Sequence, residues 1–491
     1  IKKLKEEEKK SAKKLTTFVP KSDTLTKKQN DFFNSGFADD STKAADSKLG
    51  NVVGTEEVMK ESVLKKAKVF EYRPPKFFND YLVIGFNNNV LVNRFQPYQG
   101  GAGPIQLSNG DPFNGILRVG TSDLFEDWKF AGGFRISPDL NNKEYVLSTQ
   151  YLKKRIDYGL TYYRTAQKII EEDTVGFVIS GFLKKVYTNL YQVSLTYPFS
   201  RIQSLRINLA FRGDKFTTLI TDSLSLKVPD RKQNYAVAHL EYVHDDAITP
   251  ATNIWFGLRW KVYVDVNAQV SKKTGTVKSQ THPLTMNVGF DARHYLPIYR
   301  NIIWAVRAAG DFSWGTEKFV YYLGGVDNWL MFGENKRADG TYRYFNPNPA
   351  PSGNYAYQSL AVNLRGFTQN VANGNNALVI NSEVRVPVFA SLFNKPINNA
   401  FLRNFQIVQF VDLGTAWNGK FNKLKRPSVT YGNPPLQVKV KTGGVGPFAG
   451  GYGFGARSTL LGYFLRFDAG WEMNGIFRGK PKYYFAMGLD F

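Results

Sequence analysis

The sequence predicts an all-β fold, a transmembrane antiparallel β-barrel of about sixteen strands, and three observations carry that expectation. Apolar and polar residues alternate with period two from Asp80 onward. Many of the alternating runs span about 10 to 14 residues, near the 9 to 11 a tilted transmembrane strand needs and longer than the usual strand of a soluble sandwich. The connections between runs are alternately long and short, as expected of outer loops and periplasmic turns. No segment reaches the roughly 18 consecutive apolar residues of a spanning helix, so a bilayer would be crossed by strands closed on themselves.

Residues 1–78 stand apart as a periplasmic linker or small N-terminal segment, and 79–491 form the expected barrel. The first segment is rich in Lys, Glu, Ser, Thr and Asp, carries a charge run from Lys2 to Lys14, and shows a short helical pattern over Lys60 to Lys68. Pro74-Pro75 ends it in extended backbone. The chain opens on Ile1 with no leader pattern and is expected to be the processed or visible part of something longer.

Strands are expected near 80–90, 114–124, 127–137, 144–153, 156–166, 184–198, 203–214 and 234–245. The second half places them near 252–265, 283–294, 301–314, 376–388, 404–417, 449–459, 460–473 and 482–491. In one of the clearest, Leu205, Ile207, Leu209 and Phe211 oppose Arg206, Asn208, Ala210 and Arg212. Long links fall at 91–113, 167–183, 215–233, 266–282, 315–375 and 418–448. Short ones include Glu126, Lys154-Arg155, Ser200-Arg201 and Pro297 to Arg300. Residues 173–182 also fit an extra strand. An even count puts both barrel ends of the chain on one side, the periplasmic one. In the last run Tyr483, Phe485, Met487, Leu489 and Phe491 share the expected outward face, and Phe485, Leu489 and Phe491 read as a C-terminal insertion signal.

Composition narrows the chemistry. The chain has 491 residues and no cysteine, which excludes disulfides, thiolate nucleophiles and cysteine-based zinc sites. Its formal net charge of +23 is spread along the chain, without basic–aromatic interleaving, so nucleic acid is not an expected partner. His239, His244, His282 and His294 lack metal-ligand spacing, and Gly451-Tyr452-Gly453-Phe454-Gly455 lacks the helix and Lys-Ser/Thr of a phosphate loop. No nucleophile–base motif is present, so no metal, no cofactor and no enzyme activity is expected.

Within the longest link stands Leu364-Arg365-Gly366-Phe367, followed by Glu383 in Asn381–Pro387 and Asp412 in Phe410–Gly414. Leu323-Gly324-Gly325 lies upstream, and Gly453-x-Gly455-x-Arg457 and Arg466-x-Asp468 lie downstream. Over roughly residues 80 to 491 this set resembles the bacterial surface antigen superfamily: the assembly factor BamA, the translocation factor TamA and the two-partner secretion transporters. The resemblance implies a long sixth outer loop folded into the lumen, with Arg365 held by the wall carboxylates Glu383 and Asp412 and an inner-wall motif of Arg457, Arg466 and Asp468. A guanidinium suits that role because it offers five donors in a planar fork and keeps its charge.

Three departures qualify the likeness. No periplasmic module repeats, about 38 residues separate the Gly-Gly pair from the arginine motif, and the detailed pattern looks most like a branch whose barrel follows a β-propeller. The resemblance implies an outer-membrane location and a part in assembling, inserting or translocating outer-membrane or secreted proteins. The expected partners are outer-membrane lipid, lipopolysaccharide and other outer-membrane or periplasmic proteins. A passive pore, or an anchor for a periplasmic propeller or partner complex, is the alternative. The run Asn87-Asn88-Asn89 in the first strand predicts a weak seam with the last strand and lateral opening.

Overall fold

The computed structural model describes residues 77–86, 96–97, 115–137, 140, 142–175, 178–270, 283–337, 341–393, 396–431 and 438–491. Asn87–Asn89, the Lys60–Lys68 pattern and nearly all of the N-terminal segment lie outside them.

Sixteen strands build the wall. They are β1 (Phe77–Phe86), β2 (Gly115–Asp123), β3 (Trp128–Ile136), β4 (Lys143–Tyr151) and β5 (Asp157–Val175). Next come β6 (Val178–Pro198), β7 (Gln203–Thr218), β8 (Arg231–Asp245), β9 (Ile254–Gln269), β10 (Leu284–Tyr299) and β11 (Ile302–Gly315). The last five are β12 (Asn376–Pro387), β13 (Gln406–Trp417), β14 (Phe448–Leu460), β15 (Tyr463–Glu472) and β16 (Lys482–Met487). Each pairs antiparallel with the next in sequence, from β1 on β2 through to β15 on β16. Two short strands, Ile248–Ala251 and Gly444–Val445, join the same sheet.

The wall is polar inside and apolar outside, the reverse of a soluble core. Leu147, Leu160, Tyr191, Leu209, Trp304, Ile407, Phe454 and Phe467 are exposed, while Arg135, Glu144, Asn287, Arg307 and Asp412 are buried on the opposite face. Arg135 and Glu144, neighbours across β3 and β4, pair at 2.5 Å. Period-two alternation imposes this division, because successive side chains point to opposite faces. It is the solvation pattern of a transmembrane barrel. Leu209, midway along β7 at 53% exposure, therefore faces hydrocarbon. Leu209→Arg should lower stability by about 2–4 kcal/mol in urea titrations of the barrel in lipid vesicles, and Asn208→Arg by far less. Equal losses would contradict the assigned faces.

The longest connection, between β11 and β12, lies inside. It contains Lys318–Leu323, Tyr355–Leu360 and Ala372–Gly374, which with Gln96–Pro97 form a four-stranded sheet. Phe319, Tyr321, Leu323, Tyr357, Leu364 and Phe367 pack with the inward-facing Ala377, Val379, Ala416 and Ala449 of the wall. Between β12 and β13 stand two short helices, α1 (Val388–Leu392) and α2 (Ala400–Arg403). Pro387, which cannot donate to a ladder, closes β12, and the Asn399 side chain caps α2 through the amides of Phe401 (2.9 Å) and Leu402 (3.3 Å).

Several expectations are corrected. Residues 167–183 are not a loop, and 173–182 is not an additional strand. β5 and β6 stay paired out to Val175 and Val178, well past the β4 ladder that ends at Lys143–Ala166, leaving a two-stranded ribbon beyond the rim. The second correction concerns the chain's last residues. β16 ends at Met487, Gly488 adopts φ +119°, and Phe491 turns inward to 6% exposure rather than continuing the outward face. Phe491 instead joins Ile254, Trp255, Tyr295, Ile303 and Ala305 in a buried cluster. Of the three expected signal residues, Phe485 is half-buried and Leu489 exposed.

Candidate functional site

Alternation along β12 and β13 aims Asn381, Glu383, Arg385, Phe410 and Asp412 into the lumen, where each is almost fully buried. Arg365 enters from the loop and meets Asp412 in a two-pronged contact, Nε to Oδ2 at 2.7 Å and Nη2 to Oδ1 at 2.8 Å. Its backbone amide donates to the same carboxylate at 3.0 Å, and Nη1 reaches Glu383 at 2.6 Å. The guanidinium carbon stands 3.7 Å from the Phe410 ring centroid, a cation–π contact shielded from water. Asn381 Nδ2 donates to Asp412 Oδ1 (2.8 Å) and to the Asn363 carbonyl (2.7 Å), so the wall also holds the residue just before the motif.

Close approach of the backbone depends on glycine. Gly366 has φ +95°, and a Cβ there would lie 2.8 Å from the Trp471 carbonyl. A Cβ on Gly451 of the facing wall would lie 1.8 Å from the Arg365 carbonyl, closer than any rearrangement of a side chain relieves. Gly451→Ala should therefore unseat the loop without removing a charge. Hydrogen exchange at the amides of Leu364 to Phe367 should accelerate as it does in Arg365→Ala; protection at the native level would contradict this docking.

The other expected inner-wall residues belong to the same network. Arg457 pairs with Asp468 (2.9 Å) and Asp490 (2.8 Å), while Arg466 pairs with Asp490 (3.2 Å) and donates to the loop carbonyl of Asp327 (2.7 Å). Glu383 also binds Arg385 at 2.8 Å, and Arg385 donates to the Phe491 carbonyl at 3.0 Å. Four arginines (365, 385, 457, 466) thus balance four carboxylates (383, 412, 468, 490), with no side chain above 4% exposure. At such burial the low dielectric makes each pair strong and each orphaned charge expensive.

Sequence reasoning missed Arg385, Asp490 and Asn253. Asn253 sits in the turn before β9 at φ +62°, fully buried, donating to Asp490 Oδ2 (2.9 Å) and Gln406 Oε1 (3.1 Å). Its own Oδ1 accepts from the Asp490 amide at 2.9 Å. The turn and the segment after β16 are thereby bonded to each other and to β13, the wall strand that carries Asp412.

The seam carries a second arrangement that the sequence does not reveal. Among the described residues no ladder joins β1 to β16, and β1 exposes both faces, with Leu82, Val83 and Ile84 all open. The free edge of β16 is instead covered by the loop. Leu330 N donates to the Phe485 carbonyl at 2.8 Å, and Met487 N donates to the Asn328 carbonyl at 3.4 Å. Trp329 lies opposite Ala486 in this short antiparallel bridge, its ring 4.7 Å from that of Tyr484. Tyr484 in turn donates to the Phe367 carbonyl at 2.8 Å, linking the covered edge to the arginine motif. On the other side of the lumen a cavity of about 470 Å³ remains between the loop and the wall, lined by Arg212, His239, Lys261, Asp265, Asp291 and Tyr321 among others.

Fold and site together define a transmembrane barrel of sixteen wall strands, filled by its own sixth loop and carrying a buried arginine–carboxylate lock. Among solved structures, the chain is similar to BamA from Haemophilus ducreyi lacking POTRA domains 1-3, at 11% identity over 83% of this chain and 75% of that one, with a TM-score of 0.44. It is similar to CdiB from Escherichia coli at 13% identity, covering 85% of this chain and 63% of that one, with a TM-score of 0.43. CdiB from Acinetobacter baumannii follows at 12% identity, 76% of this chain and 56% of that one, with a TM-score of 0.41. No protein-family model and no curated protein matches the sequence.

Proposed function

We propose that this chain is a bacterial outer-membrane barrel that takes part in assembling, inserting or translocating outer-membrane or secreted proteins, with both barrel ends of the chain periplasmic. The observation that carries this reading is the edge of β16. A strand edge inside lipid must have its amides and carbonyls bonded, and a barrel ordinarily achieves this by pairing its first and last strands. Here three loop residues, Asn328 to Leu330, supply two hydrogen bonds in their place. Two such bonds contribute a net stabilisation of about 1–3 kcal/mol, so an extended polypeptide offering its own ladder can displace them. The loop lock keeps the displaced segment close enough to return.

The test is copurification from native membranes together with depletion. Loss of the protein should reduce other outer-membrane barrels or a secreted client, and these should copurify with it. A barrel recovered alone, whose loss changes neither, would refute the reading. The mixed-charge cavity beside the loop favours one second reading, a pore. Planar-bilayer recordings separate the two: a small flickering conductance fits a plugged barrel, and a large steady one fits a pore.

A further inference from the structure

The long connections after β13 and β15 share a construction that the assembly reading does not use. Residues 418–447 carry Lys420, Lys423, Lys425, Arg426, Lys439 and Lys441, and residues 473–482 carry Arg478, Lys480 and Lys482, with no Asp or Glu in either stretch. All five lysines of the first stretch, and Arg478 and Lys480 of the second, are exposed. The connection between β7 and β8 is built differently: it carries Lys227 between Asp222 and Asp230, and Asp230 pairs with Lys215 of β7 at 3.3 Å.

Each basic stretch is pinned to the outside of the wall by an aromatic ring. Phe421 lies 5.3 Å from Trp417 and 6.1 Å from Phe312, residues on the apolar faces of β13 and β11. Phe477 lies 5.0 Å from Trp471 and 5.9 Å from Tyr452, on the apolar faces of β15 and β14. The Tyr452 hydroxyl accepts from the Phe477 amide at 2.5 Å and donates to the Gly475 carbonyl at 2.9 Å, fixing the second fold-down. Arg426 ties the first by donating to the Gly446 carbonyl at 3.0 Å. Aromatic rings at a strand's end mark the boundary between hydrocarbon and headgroups, so the lysines beside them stand at headgroup level. In the strand Val438–Lys441 the apolar Val438 and Val440 alternate with the lysines, which gives it one face for lipid and one for charge.

We propose that the outer rim of β11 to β15 is a binding surface for a multiply phosphorylated lipid headgroup, with Lys420, Lys423, Lys425, Arg478 and Lys480 contacting its phosphates and Phe421 and Phe477 packing on its acyl chains. The exposed cations Lys420, Lys423, Lys425, Lys439, Lys441, Arg478 and Lys480 outnumber the neighbouring carboxylate, Glu472, which already accepts from the Gly443 amide at 3.2 Å. They suit an oligo-anion, while the aromatic anchors suit a ligand with chains rather than a free anion. The proposal rests on the outward placement of the long connections in the preceding reading.

The full barrel, in phosphatidylcholine nanodiscs, is titrated with bis-phosphorylated lipid A, with the same lipid after phosphatase treatment, and with inorganic phosphate. Near a membrane surface each lysine contributes about fivefold in affinity. Lys420→Gln/Lys423→Gln/Lys425→Gln should weaken lipid A binding about a hundredfold, and Phe421→Ala should weaken it with phosphate competition unchanged. Lys215→Gln/Lys227→Gln/Lys232→Gln should leave it within about threefold. If the triple variant does not fold, Lys423→Gln alone should lose about fivefold. Undiminished binding by the variants, equal binding of the dephosphorylated lipid, or full competition by inorganic phosphate overturns the proposal. Orientation is read separately, by labelling Asn474→Cys on intact cells: failure there removes the outward placement and not the phosphate chemistry.

Discussion

Arg365→Ala should free the sixth loop from the wall. The side chain it removes makes three contacts to Asp412 and Glu383, and both carboxylates are almost completely buried. Removing one partner of a buried pair costs about 3–5 kcal/mol, against about 0–1 for an exposed pair, and the burial here places the site in the first class. Exchange at the amides of Leu364 to Phe367 should accelerate accordingly, by about two to three and a half orders of magnitude at about 1.4 kcal/mol per tenfold. Arg365→Lys should recover little, because an ammonium cannot meet Asp412 in two parallel bonds and still reach Glu383. If the lock serves activity, Arg365→Ala will reduce function more than it reduces barrel abundance. Equal loss of both would assign the lock to stability alone.

Asp490→Ala should have a comparable effect at the opposite end of the network. Asp490 compensates Arg457 and Arg466 and is gripped by Asn253, so its loss strands the buried Arg466, leaves Arg457 with Asp468 alone and releases the segment after β16. About 3–5 kcal/mol is expected, read as a lower urea midpoint for the folded barrel on a heat-modifiability gel. Arg466→Met should partly restore the midpoint in that background by removing the stranded charge. No restoration would mean that Asp490 acts through Asn253 rather than through the arginines. Phe491 should meanwhile become accessible, since the Arg385 contact to its carbonyl and its aromatic pocket both depend on the same inward turn.

The wall and half of the lock were legible in the sequence for a simple reason. A strict period of two divides polar from apolar residues, and that division fixes which side chains face the lumen. Glu383, Asp412, Arg457, Arg466 and Asp468 could be placed inward by that rule, and Arg365 by its motif. Arg385 shares the face of Glu383 and was visible as a neighbour, but nothing local marks it as a partner. Asp490 falls on the inward face by the same rule, but nothing local marks it as the partner of Arg457 and Arg466, and the positive φ of Gly488 that ends the strand and turns Phe491 inward leaves no periodic trace. Asn253 binds Asp490 across 237 positions of sequence, a contact that only the folded wall creates. The pairing of Asn328 to Leu330 with β16 is too short to carry any pattern. The ribbon over residues 167–175 and 178–183 has the length of a loop in the sequence, whereas its cross-strand pairing continues beyond the rim.

The central claim is that the loop covers the edge of the last strand, and one disulfide tests it. The chain has no cysteine, so Trp329→Cys/Ala486→Cys introduces the sole pair available to form a bond. Trp329 and Ala486 face each other between the two edge hydrogen bonds, a pairing whose Cα atoms lie about 4.5 Å apart and within disulfide range. In the native barrel the bond should form under mild oxidation, shift the protein on a non-reducing gel, and abolish client assembly until reductant is added. A folded barrel in which this pair stays reduced, while cysteines placed across β1 and β16 oxidise readily, would contradict the account.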